Sequence, residues 1–131
     1  MRYASRTKRL IGQFLDGLVV ALIVVVASVA AGVIGATSGD PMANPVMIVG
    51  ILFALGYHFL SDALSGGQSL GKRALGIAVE HAETGRPCSA GQSFVRNVLL
   101  AVLGPIDWIF IFGAKHQRLG DMAAGTVVVE K

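Results

Sequence analysis

The chain has 131 residues, enough for one domain, of which 53% are hydrophobic and 15% charged, against about 25% charged in an ordinary soluble protein. A soluble domain this small cannot hide that much apolar surface, so lipid is the expected solvent. The net charge of +3 does not point to nucleic acid, because the basic residues flank long apolar runs without aromatic–basic alternation, and the single Cys88 excludes an internal disulfide and lacks metal-site spacing.

The first apolar segment covers about residues 10–34, with Gln13, Asp16 and Ser28 as its polar side chains. About 25 residues give roughly 37 Å of helix, enough to cross a ~30 Å hydrocarbon core with some tilt. Fifteen Leu, Ile, Val and Phe contribute roughly −4 to −9 kcal/mol to insertion, and Asp16 opposes them by at most about 3 kcal/mol. A cleavable signal peptide is the competing reading, but its apolar core would be about 7–15 residues long and free of an acid. Ala27, Ala31 and Gly35 recur every four residues, a small-residue face for close helix packing through which copies of the chain can assemble.

Gly35 to Asn44 reads as a short loop with Asp40 and no Lys or Arg. Asn44-Pro45 has the form of an N-cap followed by proline at the first helical position. The second span follows over about residues 46–64, and Tyr57, His58, Ser61 and Asp62 place its end in the headgroup region. Residues 65–93 are polar, basic and punctuated by Gly66, Gly67, Gly71 and Gly76. Within them Ile77–His81 reads as a short strand and Glu83–Pro87 as a turn.

A third apolar stretch, about residues 94–113, is broken by Gly104-Pro105. Its pieces of about 10 and 8 residues reach roughly 15 and 12 Å, so neither crosses alone. It is re-entrant, interfacial or a kinked span. The tail, residues 114–131, ends in the strand-like run Thr126–Val129. The pattern predicts an all-α membrane protein: two transmembrane helices, the proline-broken third segment, and a short cytoplasmic hairpin-like β element pairing the Ile77 and Thr126 strands.

Arg2, Arg6, Lys8 and Arg9 precede the first span, and Lys72, Arg73, Arg86 and Arg96 follow the second. The positive-inside rule therefore sets the N-terminus and the glycine-rich segment in the cytoplasm. If the third stretch dips in and returns, all eleven Lys and Arg are cytoplasmic; if it crosses, Lys115 and Arg118 lie outside.

Arg9, Gln13 and Asp16 share one face of the first helix, but Arg9 and Asp16 are roughly 10 Å apart along its axis and do not touch. An acid inside a membrane helix needs a partner. Two readings stand for Asp16: a structural acid bonded to a cytoplasmic arginine (Arg73, Arg96 or Arg118), or an ion or proton site. His58 reaches a depth similar to that of Asp16, which would let the two share a proton or cation. Gly66 to Arg73 nearly matches the phosphate-binding pattern GxxxxGK[ST], but its last position is Arg and it follows a membrane helix instead of a strand. No catalytic constellation, zinc spacing or cofactor motif is legible, so an enzyme is not expected.

These pieces in this order resemble the RDD family of bacterial membrane proteins, named for one arginine and two aspartates. Arg9 and Asp16 sit where the family has its arginine and first aspartate. Gly66–Arg73 followed by Leu75-Gly76-Ile77, then Arg96-Asn97, resemble further landmarks. Gln117-Arg118-Leu119-Gly120-Asp121 with Ala124–Val129 resembles the C-terminal signature and makes Asp121 the second aspartate. Gly120 departs from the pattern, since relatives often carry His there. The resemblance implies a multi-pass protein of the bacterial inner membrane, with transport suggested and sodium–proton antiport proposed for some members.

The expected function is therefore transport of an ion or small solute, of a cation or proton exchange type, by a homo-oligomer or together with another membrane protein. Arg9, Gln13, Asp16, His58 and Asp121 are the candidate ion, proton or structural polar site, and Lys72, Arg73, Arg96 and Arg118 the basic cytoplasmic segment. The alternative is a non-transporting accessory protein that docks a partner or anionic lipid through that basic face.

Overall fold

The computed structural model describes residues 2–34 and 44–131. The loop around Asp40, and Gly35 of the small-residue face, lie outside them.

Helix α1 spans Arg6–Val33 and α2 spans Pro45–Leu60. The first starts earlier than its apolar run, because Ser5 is the N-cap and accepts from the Lys8 amide at 3.2 Å. The second starts where expected: the Asn44 side chain accepts from the Val46 amide at 2.9 Å, with Pro45 in the first turn. A 3₁₀ turn, Ser61–Ala63, extends α2.

The two helices pack on small residues. Ala27, Ala31, Gly50 and Ala54 are buried, and a Cβ on Gly50 would overlap that of Ala27. Ala27 of the small-residue face thus packs inside the chain against Gly50 of α2. Leu18, Leu22, Val26 and Phe53 turn outward, each at least half exposed, an apolar outer surface of the kind lipid covers.

Helix α3, Leu70–Ala74, lies in the glycine-rich segment, with Ser69 as N-cap. Strand β1, Ile77–His81, pairs antiparallel with β2, Thr126–Glu130, in a register from Ile77 opposite Glu130 to His81 opposite Thr126. The expected pairing is present. Neither outer edge is open: Tyr3-Ala4 bonds along β2, with Ala4 N to Val128 O at 2.9 Å, and Pro87-Cys88 along β1, with Cys88 N to Val79 O at 3.0 Å. A small apolar core of Ala4, Ile77, Val79, Cys88 and Val128 closes this cap.

Helix α4 runs from Ala90 to Leu103, four residues before the expected apolar start, because Ser89 and Gln92 form a capping box. At Gly104 the backbone takes φ 53°, ψ −126°, which favours glycine, and Pro105 opens a 3₁₀ stretch to Phe112. Helix α5, Leu119–Ala124, follows.

Three segments, Arg6–Val33, Pro45–Ala63 and Ala90–Phe112, are long and apolar enough to cross a membrane. The third nevertheless turns back. A straight helix would separate Arg96 from Asp107 by roughly 16 Å. Here both abut Gly120: a Cβ there would lie 2.5 Å from the Arg96 carbonyl oxygen, and its amide donates to Asp107 Oδ1 at 2.7 Å. Before the break, Ser93 Oγ donates to the Phe59 carbonyl near the end of α2 at 2.8 Å. After it, Arg6 lies 4.8 Å over the Phe112 ring and His116 Nδ1 is 3.2 Å from the Ala4 carbonyl oxygen. Both ends of the third stretch therefore lie at the end of the helix pair that holds the N-terminus.

Candidate ionic site beneath the polar cap

Eight charged side chains meet where α1, α2, α3, α4 and α5 converge. Four are basic (Arg9, Lys72, Arg96, Arg118) and four acidic (Asp16, Asp62, Asp107, Asp121), and all are buried. They form one connected path. Asp16 pairs with Lys72 at 3.3 Å and Lys72 with Asp62 at 2.6 Å. Asp62 pairs with Arg96 at 3.4 Å and Arg96 with Asp121 at 2.8 Å. Asp121 also binds Arg9 directly, and Arg118 lies 3.6 Å from both Asp121 and Asp107. Equal numbers of opposite charges make this burial tolerable, since a lone charge at such depth costs several kcal/mol.

Local sequence explains the positions. Asp121 is the third residue of α5 and accepts from the Arg118 amide at 3.0 Å, capping its own helix while facing three guanidiniums. Burial alone would raise its carboxyl pKa, but the charges of Arg96, Arg118 and Arg9 outweigh that and hold it well below the usual carboxylate range. Gly120 lets α5 sit directly on the backbone of α4 at Arg96. Any side chain at this position would need these helices farther apart.

Asp16 is surrounded by the glycine-rich segment. Its carboxylate accepts from Ser69 Oγ at 2.5 Å, the Gly71 amide at 2.9 Å, Lys72 Nζ at 3.3 Å and the Tyr57 hydroxyl at 2.7 Å. Tyr57 in turn accepts from the Leu70 amide at 3.1 Å. The run that mimics a phosphate loop thus presents a hydroxyl, a backbone N–H and an ammonium to an anion, and that anion is a carboxylate of α1. Close approach requires missing side chains: a Cβ on Gly71 would lie 2.5 Å from the Gly12 carbonyl oxygen and 2.9 Å from Asp16 Oδ1.

The expected arginine partners of Asp16 are therefore corrected. Its cation is Lys72, because α3 crosses α1 at Gly12 and delivers Lys72 beside it. Arg96 and Arg118 sit on the other side of the cluster, near Arg9. Arg73 stays exposed, 3.5 Å from the Ser65 carbonyl oxygen. Gln13 joins the edge of the cluster by accepting from Arg118 Nη1 at 3.3 Å. His58 does not hydrogen-bond Asp16 among the described residues; that contact belongs to its neighbour Tyr57. Both His58 and Asp16 line one small polar cavity of about 10 Å³ between α1, α2 and α4, room for about one water. The resemblance-assigned arginine and second aspartate, Arg9 and Asp121, are in contact, whereas the first aspartate is held separately.

The site also uses residues the sequence reading does not single out. Asp62 and Tyr57 are marked there only as polar residues at the end of the second span, and Asp107 and Ser69 have no role. An acid inside an apolar run is the signal that marks Asp16, and it applies equally to Asp107. Nothing local marks Tyr57 or Ser69 as a partner of Asp16. Among the described residues, no group of three His, Cys, Asp or Glu side chains converges as metal ligands would.

No curated protein and no solved structure matches the chain. The sequence model of the RDD family matches residues 3–125, nearly the whole length, and includes the first helix, the glycine-rich segment and the C-terminal signature. The chain therefore belongs to the RDD family.

Proposed function

We propose that this chain is an integral membrane protein in which α1 and α2 cross the bilayer, the broken third segment dips in and returns, and the polar cap stands on the cytoplasmic side. We further propose that it works as a non-transporting accessory protein, docking an acidic partner on that cap. The observation that carries this reading is the charge balance. Each carboxylate of the cluster already faces a buried cation, so the cluster acts as a latch tying cap to helices. Beyond Asp16 the helix pair continues on small residues, with Ala27 against Gly50, and the buried residues of α1 past Asp16 are Ala27 and Ala31.

The other seven of the eleven Lys and Arg (Arg2, Arg6, Lys8, Arg73, Arg86, Lys115, Lys131) gather on the cap, where the acids among the described residues are Glu80, Glu83 and Glu130. By the positive-inside rule such an end is cytoplasmic. Reporter fusions at Arg2 and Lys131 should both report the cytoplasm; an external C-terminus would refute the returning segment.

A second reading, exchange of a cation or proton at Asp16, is favoured by the polar cavity that Asp16 shares with His58, Tyr57 and Lys72. Purified protein in liposomes, followed by internal pH under sodium and potassium gradients, separates the two. Absence of flux from folded protein, with a stoichiometric partner co-purifying, supports the accessory role. Flux that disappears in a normally inserted Asp16→Asn variant overturns it and places Asp16 on a path.

A further inference from the structure

Beside the ionic cluster lies an apolar cleft, of whose lining the accessory reading uses only Arg6. It has a volume of about 420 Å³ and runs between the first turns of α1 and the 3₁₀ stretch after the break. That falls within the range of small-molecule sites. Its walls are Leu10 from α1 and Pro105, Trp108, Ile109 and Phe112 from the returning segment, and Arg6 also lines it. No carboxylate lines it among the described residues.

We propose that this cleft binds one anionic phospholipid, with an acyl chain between Leu10 and Trp108 and the headgroup phosphate at Arg6. Three observations carry this. The walls are apolar although they adjoin the most charged part of the molecule, so an aqueous solute gains little there, whereas an acyl chain leaves the bilayer for walls as apolar as its own surroundings and is held by packing. The one charged residue lining the cleft among the described residues is basic: the exposed Arg6, which lies 4.8 Å over the Phe112 ring. A basic residue and a tryptophan beside an apolar slot are the groups that meet a lipid at headgroup level. Finally, the walls are held in place. Trp108 packs under the Arg118 guanidinium at 5.2 Å, and neighbouring Asp107 is bonded to Gly120. The site depends on membrane insertion and not on the accessory or exchange role.

Trp108 is the only tryptophan, so it reports on its own site. The full-length protein is placed in zwitterionic phospholipid bilayers containing a small fraction of lipid brominated on the acyl chains. That brominated lipid is either anionic phosphatidylglycerol or zwitterionic phosphatidylcholine. At equal low fractions, the anionic lipid should quench Trp108 at least threefold more strongly, and the excess should saturate. Arg6→Gln should remove the excess, and Arg86→Gln, which deletes an exposed charge outside the cleft, should leave it. Equal quenching by the two lipids in the wild-type protein overturns the proposal and is decisive even if a variant fails to insert. Loss of the excess in Arg86→Gln as well as Arg6→Gln also overturns it, because general surface charge would then explain the preference.

Discussion

Replacing Asp121 with Asn tests whether the buried cluster is a latch. The substitution keeps the side chain's shape and removes one negative charge from a group whose four cations and four anions balance. Arg96 retains Asp62 at 3.4 Å and Arg118 retains Asp107 at 3.6 Å, whereas Arg9 loses its one carboxylate partner among the described residues. Breaking a buried pair from one side costs about 3–5 kcal/mol, a large share of a typical total stability of about 5–15 kcal/mol. The loss is read by titrating the detergent-solubilised protein with a denaturing detergent and following Trp108 fluorescence, a probe seated on Arg118.

Pairing Asp121→Asn with Arg9→Met restores charge balance, so the double variant should be more stable than the sum of the single losses implies, by at least about 1 kcal/mol. The pH dependence has a defined sign. The depressed carboxyl of Asp121 contributes stability that is fully present above its unfolded pKa of about 4 and lost as pH falls through the lower folded value. The gap between wild type and Asp121→Asn should therefore hold from pH 5 to 7 and narrow under acid conditions. A single-variant loss below about 1 kcal/mol, or strict additivity in the double, would show that these charges are hydrated and do not latch the cap.

Other perturbations probe the close approaches. Gly120→Ala drives a methyl into the α4 backbone at Arg96 and should destabilise by about 1–3 kcal/mol in the same titration; a neutral result would mean α5 does not sit on α4. Gly50→Ala should cost a similar amount by pushing α2 off Ala27, and adding Ala27→Gly should recover most of it; no recovery would place the clash elsewhere. Cys88, outside the three apolar segments, has its thiol pushed up to about 11 by burial. Alkylation at pH 8 should therefore be slower by roughly 10²-fold or more in folded than in denatured protein; equal rates would mean the core under the β strands is open.

The candidate site was only partly legible from local signals. Asp16 stands out because an acid in an apolar run demands a partner, and the same logic extends to Asp107. The resemblance supplies Arg9 and Asp121 as a matched set but not as a contact. Lys72 is visible as a charge following Gly71, yet nothing in its neighbours distinguishes it from Arg73, which remains outside. Their separation comes from which face of a five-residue helix meets α1.

What the sequence by itself determined are the properties written at short range: two apolar spans, the cap at Asn44, the break at Gly104-Pro105, the strand character of both paired segments, and the concentration of basic residues away from the first loop. These follow from periodicity, propensity and charge counting, which involve neighbours along the chain. The tertiary structure decided that the third stretch returns, that Ala27 packs on Gly50 of α2, and which acid holds which base. A carboxylate accepts any cation that comes within reach. The partner is therefore chosen by how closely backbones approach, and that depends on glycines at 12, 71 and 120 meeting surfaces distant in sequence.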